Sequence, residues 1–230
     1  HHSVRRQNPD CHHILVADGS PQAEIDGWQC THLRLPTRSG DSGSTPRLIG
    51  ALVAAAGPFD AISFLDADNW FEPEHIALLS RASLENDCDV VTCQRTLRRP
   101  DGSILGLCTE SDGQHFNDTN CYLIRRPAFR LLRAWGFIDA RYAVVSDRLF
   151  WQAVCESGIR RAHCSMASVN YETTAAAPYL RRGETPPEGA KQHLKVSNGY
   201  ITLPYADFLR VQHATKESSN PSKDEPPSSL

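Results

Sequence analysis

No uninterrupted apolar run in the 230 residues approaches the roughly 20 needed to cross a bilayer, so no transmembrane segment is expected. The opening HHSVRRQNPD lacks the apolar centre of a signal peptide, which points to a cytoplasmic protein. No long basic block is present either. With 24 Lys and Arg against 27 Asp and Glu, the formal charge of -3 leaves no electrostatic footprint for nucleic acid or an anionic membrane surface. The eight cysteines form no C-x-x-C pair, and thiols scattered in this way read as small buried hydrophobes rather than a disulfide frame or a zinc site. No internal repeat and no heptad pattern stands out.

The chain does have alternation. Its 40% hydrophobic content suits one ordinary core. HILVA (13–17) is a short apolar run closed by the loop DGSP, and THLRLP (31–36) reads as a second strand. In STPRLIGALVAAAG, Thr45 suits a cap and Pro46 a first turn, Leu48, Ile49, Leu52 and Val53 recur at helical spacing, and Gly57 ends the pattern. DAISFL (60–65) is almost wholly apolar, as a strand covered on both faces should be. Further on, the helical stripe of EPEHIALLSRASLEND, the strand DVVTCQ, a hairpin turn at Pro100, Asp101 and Gly102, and the strand-like NCYLI follow in order. RPAFRLLRAWG and SDRLFWQAVCESG read as helices, the second with Ser146 as a cap, and ASVNYET reads as a late strand. Strands alternating with helices predict a three-layer α/β domain over 1–214 with a mostly parallel sheet. From residue 215 the polar TKESSNPSKDEPPSSL predicts a disordered tail.

In such sheets ligands bind beyond the carboxyl ends of the strands. At one such end stand Asp66 and Asp68, a D-x-D pair directly after ISFL. Two carboxylates so close together are costly unless a cation or strong donors compensate, and hard oxygen ligands suit Mg²⁺ or Mn²⁺ completed by substrate phosphates. A solvated loop or a helix cap would also use such acids. An EF-hand reading fails, because Trp70 and Phe71 occupy the positions that need an oxygen ligand and a glycine. A D-x-D phosphatase usually has Thr or Val two residues after its second Asp, where this chain has Trp70.

HILVADGSP followed by STPRLIGALVAAAGPFDAISFLDADNW resembles the nucleotide-sugar-binding half of family 2 glycosyltransferases, whose strand ends read like VDDGS and LDADD. NDTNCYLIRRPAF and VVSDRLFWQAVCESG resemble the same family's acceptor-side segments, so four motifs stand in the family's order over roughly Ser3 to Tyr171. The resemblance implies a GT-A, Rossmann-like fold and inverting, metal-dependent transfer of a sugar from a nucleotide-diphosphate donor to a hydroxyl acceptor, such as a glycan. It implies that Asp18 and Arg47 contact the donor, that Asp66 lies against the donor sugar or ribose and at the metal, and that Asp68 ligates Mn²⁺ or Mg²⁺. Asp147 is implied as the general base, with Asn120, Asp118 and Trp151 on the acceptor side.

This sequence departs from the family pattern in three places. It carries no match to the family's first strand, Ala17 replaces the first acid of the paired aspartates, and TPR stands where ARN is usual. A non-catalytic nucleotide-sugar or glycan-binding protein of the same fold is therefore the alternative, with a D-x-D phosphatase behind it. Trp70, Trp135 and Trp151 are candidates for sugar stacking or for packing. His75, His163 and His193 are candidates for a third metal ligand or for ordinary core and surface positions.

Overall fold

In a computed structural model of the chain, residues 1–8 and 11–218 are described. They form two compact units, His1–Thr173 and Thr174 onward, where the sequence suggested a single domain to residue 214.

The first unit opens with a helical turn, α1 (His2–Arg5), followed by β1 (Ile14–Asp18) and β2 (Thr31–Leu35), which run parallel to one another as a separate pair. Then come α2 (Ser44–Ala56), β3 (Ala61–Ser63), β4 (Trp70–Phe71), α3 (His75–Glu85), β5 (Val90–Arg98), β6 (Ile104–Leu107), β7 (Tyr122–Arg125), α4 (Ser146–Glu156) and β8 (Arg161–Glu172). The main sheet has the order β3-β7-β5-β8-β4, with β6 attached to β5. Within it only β5 and β8 are parallel; the other pairs are antiparallel. The mostly parallel sheet expected from the sequence is thus a mixed one. A parallel neighbour needs a long crossover, which β8 obtains through α4, whereas β7 returns from the β5–β6 hairpin excursion and pairs antiparallel.

Strand periodicity explains how both faces are covered. Val90, Tyr122 and Ile124 point to one side, where Ala51 and Ala54 of α2 and Phe150 and Val154 of α4 meet them. Val91, Cys93, Cys121 and Leu123, the alternate residues, point to the other, against Leu79 of α3 and Phe71 of β4. Cys88, Cys93 and Cys121 are free thiols and fill the second core as small apolar groups. The segment Arg126–Phe137, expected to be helical, is a run of 3-10 turns, with Pro127 at its start. Its Trp135 stacks on Phe150 with ring centroids 4.3 Å apart and meets Phe64 edge-on at 5.9 Å.

The second unit holds α5 (Ala177–Leu180), an antiparallel hairpin of β9 (Lys191–Val196) and β10 (Gly199–Pro204), and α6 (Tyr205–Ser218). Helix α6 enters the stretch expected to be a disordered tail, and 219–230 lie outside the described residues. Among the described residues no helix is long and apolar enough to cross a membrane.

Candidate active site

Strand β1 delivers Asp18 to the loop that follows it, and Gly19 turns the chain with φ of +74°. A Cβ at Gly19 would fall on the backbone of Thr37 and Arg38, so the close approach of these two segments requires glycine. That approach brings Ser39 to Asp18. Its N–H donates to Asp18 Oδ1 at 2.9 Å, and its hydroxyl lies 2.8 Å from Asp18 Oδ2 and 2.9 Å from Asp41 Oδ1. Asp41 in turn takes the Thr45 N–H at 2.8 Å and the Thr45 hydroxyl at 2.6 Å. The N-cap position of α2 is Gly43, not Thr45; Thr45 lies in the first turn and donates to Asp41, two residues before the cap. Burial alone would raise the Asp41 carboxyl, but the bonds from Thr45 and Ser39 outweigh it and hold its pKa below the usual carboxylate range.

From α2 a chain of polar contacts crosses the carboxyl end of the sheet. Arg47 donates to the Ser42 carbonyl at 2.9 Å and to Asp66 Oδ1 at 2.5 Å, while its guanidinium lies 5.4 Å from the centre of the Trp135 ring. The amide of Asn120 accepts from the Asp66 N–H at 2.6 Å and donates to Asp66 Oδ2 at 3.2 Å and to Asp118 Oδ1 at 2.7 Å. The Asn120 N–H also donates to Asp118 Oδ1 at 3.0 Å, closing a 3-10 turn ahead of β7. Asp118 is ion-paired with Arg95 of β5, and the Arg95 guanidinium lies 4.0 Å from the centre of the Tyr171 ring. Topology makes this meeting possible: Ser63 of β3 pairs with Leu123 of β7, so the residues just beyond β3 and just before β7 share one edge.

Asn120 is wholly buried and Asp118 only 6% exposed, so neither forms an open acceptor wall; both stand behind Asp66. Asp66 has both carboxylate oxygens engaged, by Arg47 and by Asn120. Asp68 differs. It sits exposed in the turn after β3 and takes a hydrogen bond from its own backbone N–H. Crowding by neighbouring protein, then the charges of Asp66, Glu172 and Asp118, push its pKa up, the electrostatic mark of a carboxylate that a cation would relieve. Among the described residues no three His, Cys, Asp or Glu converge tightly enough to enclose a metal. Asp68 is thus a carboxylate able to supply one or two oxygens to an ion completed by water and phosphate, the manner in which Mg²⁺ is ordinarily bound.

Asp147 lies in the first turn of α4 and takes the Arg148 N–H at 2.8 Å. Burial, then the charge of Asp118, raise its pKa to about 6, with Arg95 and Arg148 opposing. Burial keeps the Tyr171 hydroxyl protonated, and it feels the charges of Arg95, Asp118, Asp66 and Asp147.

The other candidates fall elsewhere. Trp151 is 4% exposed, its Nε1 donates to the Gln114 carbonyl at 3.2 Å, and it packs near Tyr122, so it is a core residue and not an acceptor platform. Trp135 is likewise core, and Trp70 lies beside Arg98, whose guanidinium is 5.7 Å from the centre of its ring. His75 is fully buried, stacked on Phe71 at 3.9 Å and bonded to the Ser168 hydroxyl at 2.8 Å. His163 pairs with the Thr92 hydroxyl at 2.9 Å, and His193 of the second unit pairs with Thr202 at 2.8 Å. Four polar members of the site went unread in the sequence: Ser39, Asp41, Arg95 and Tyr171. Arg95 alone had a signal, a cation inside the apolar strand DVVTCQRTL, which demands a buried counter-charge.

The architecture, with carboxylates at its strand ends, is an α/β fold of the GT-A type. Residues 1–157 match Glycosyl transferase family 2, and the chain belongs to that family. The phosphatase alternative is thereby set aside. No curated protein sequence matches the chain. Among solved structures it is similar to S. aureus TarS 1–349 in complex with UDP, with a TM-score of 0.55 and 13% identity over 78% of this chain and 57% of that one. S. aureus TarS 1–349 in complex with UDP-GlcNAc gives 0.55 and 15% identity over 75% and 53%, and S. aureus TarS itself gives 0.55 and 14% over 78% and 34%. The chain therefore spans little more than half the length of the TarS 1–349 structures, and identities this low show a shared fold.

Proposed function

We propose that the protein transfers a sugar from a nucleotide-diphosphate donor, UDP-linked in the first instance, to an acceptor hydroxyl, with inversion at the anomeric carbon. The observation that carries this reading is the unequal state of the acids at the sheet's edge. Asp66 is locked between Arg47 and Asn120, Asp68 beside it is open and electrostatically unrelieved, and Asp147 has its pKa at about 6. The UDP and UDP-GlcNAc complexes of TarS support the choice of donor.

In this reading Asp18 meets the nucleoside, while Arg47 and Asp66 hold the donor's ribose or sugar. Asp68 would hold a divalent cation, Mn²⁺ or Mg²⁺, against the diphosphate. When bound, that ion stabilises the negative charge gathering on the leaving diphosphate. Asp147 takes the proton of the acceptor hydroxyl as that oxygen bonds to the anomeric carbon. The bond to the diphosphate breaks, its electron pair leaves with the nucleotide, and a single displacement inverts the centre.

Calorimetric titration of UDP and of GDP, each with and without Mn²⁺, tests the donor site. Expected is metal-dependent binding of UDP, weakened at least tenfold in Asp68→Ala, followed by turnover of a UDP-sugar when acceptors are supplied. Absence of nucleotide binding under all four conditions would overturn the reading.

A further inference from the structure

We propose that Asn120 is the positioning residue of this site, orienting Asp66 toward the donor and tying it to the Asp118–Arg95 pair. The proposal rests on the donor role given above to Asp66.

The geometry leaves Asn120 no freedom. Its carbonyl oxygen faces the Asp66 N–H, so its amino group must face the carboxylates, with one hydrogen for Asp66 Oδ2 and the other for Asp118 Oδ1. Every side-chain hydrogen is spent within the protein, and the residue is fully buried, so it has nothing to offer a ligand directly. What it does offer is orientation. The Asp66 carboxylate is fixed by two donors from two elements, Arg47 of α2 on one oxygen and Asn120 ahead of β7 on the other. Its backbone is pinned by the same amide. The D-x-D turn thus takes its position from both, and Asp118 moves with it.

No other side chain reproduces this. Aspartate has the same shape but sets a third carboxylate against two others, glutamine adds a methylene to a fully packed position, and serine has a single hydrogen for two acceptors. The role also differs from packing in a measurable respect: if Asn120 acts through Asp66, its effect on donor binding must disappear once Asp66 is gone.

The experiment is calorimetric titration of UDP with Mn²⁺ into the full chain and into Asn120→Ala, Asp66→Ala and the double variant, with circular dichroism to establish folding. Expected is an affinity loss of about tenfold for Asn120→Ala, the scale usual for residues that orient a ligand-contacting group. The double variant should bind no worse than Asp66→Ala. Equal losses from Asn120→Ala in both backgrounds, or wild-type affinity in Asn120→Ala, would overturn the proposal while leaving the donor reading intact. If Asn120→Ala does not fold, Asn120→Ser, which keeps a single hydrogen and adds no charge, is carried through the same cycle with the same criteria. Wild-type protein that binds no UDP would sink the donor reading, and this proposal with it.

Discussion

At the scale of single residues, Asp147 is set by charges it does not touch. Its carboxyl is raised to about 6 by burial and by Asp118, and the pull of Arg95 keeps it from rising further. A base must be ionised to accept a proton. On the base role proposed for Asp147, activity should be present above the raised pKa and lost as the pH falls through about 6, so kcat/KM at saturating Mn²⁺ should drop about tenfold per pH unit below that point. Saturating metal matters because the pKa of Asp68 is raised too. Asp147→Asn should lower kcat by about 100-fold or more, the usual scale for loss of a general base. Asp118→Asn keeps an acceptor for Arg95 while removing a negative charge. Both consequences favour ionised Asp147, so the acid limb should move to lower pH; a limb that stays in place would show that Asp118 does not tune the base.

At the scale of elements, the sequence disclosed what periodicity and punctuation can disclose. Helix α2, with Pro46 in its first turn and Gly57 at its end, lies where its pattern placed it, but the face it buries is that of Ala51 and Ala54, while Leu52 and Val53 of the apolar stripe read in the sequence are exposed. The β5–β6 turn follows equally from Pro100, Asp101 and Gly102. The helical reading of RPAFRLLRAWG left the form open, since apolar spacing does not separate the 3-10 run found over Arg126–Phe137 from an α-helix. The acceptor at the start of α2 was hidden for a different reason: Asp41 reaches Thr45 across the tight turn at Ser42 and the N-cap Gly43, both with positive φ, a geometry that local sequence does not announce. Asp41→Ala should therefore destabilise the protein by about 1 kcal/mol near neutral pH, the typical worth of a side-chain acceptor for a first-turn N–H. The folded-state pKa of Asp41 is depressed, so its contribution is present above the ordinary carboxylate value of about 3.9 and lost as the pH falls through its lower folded value. Urea unfolding of the two proteins at pH 7 and pH 3 should show the gap narrowing at the lower pH.

At the scale of the whole molecule, the candidate site was legible in the acids at its element ends and illegible in their supports. Asp18, Asp66, Asp68 and Asp147 stand at strand and helix ends, where apolar runs stop and a sequence advertises the break. Asn120, Asp118 and Arg95 became supports only because β3, β5 and β7 are neighbours in the sheet, a pairing no local pattern encodes. Every one of these residues, and Tyr171, lies within His1–Thr173, which also contains both core clusters and all of the main sheet. A unit with its own core and its own complete set of hydrogen-bonded strands has what independent folding requires. Residues 1–173 expressed alone should accordingly unfold cooperatively and bind UDP with Mn²⁺ within about threefold of the full chain, a difference well under the 1.4 kcal/mol of a tenfold change. Folded protein with affinity lost by tenfold or more would mean that the first unit does not carry donor binding alone.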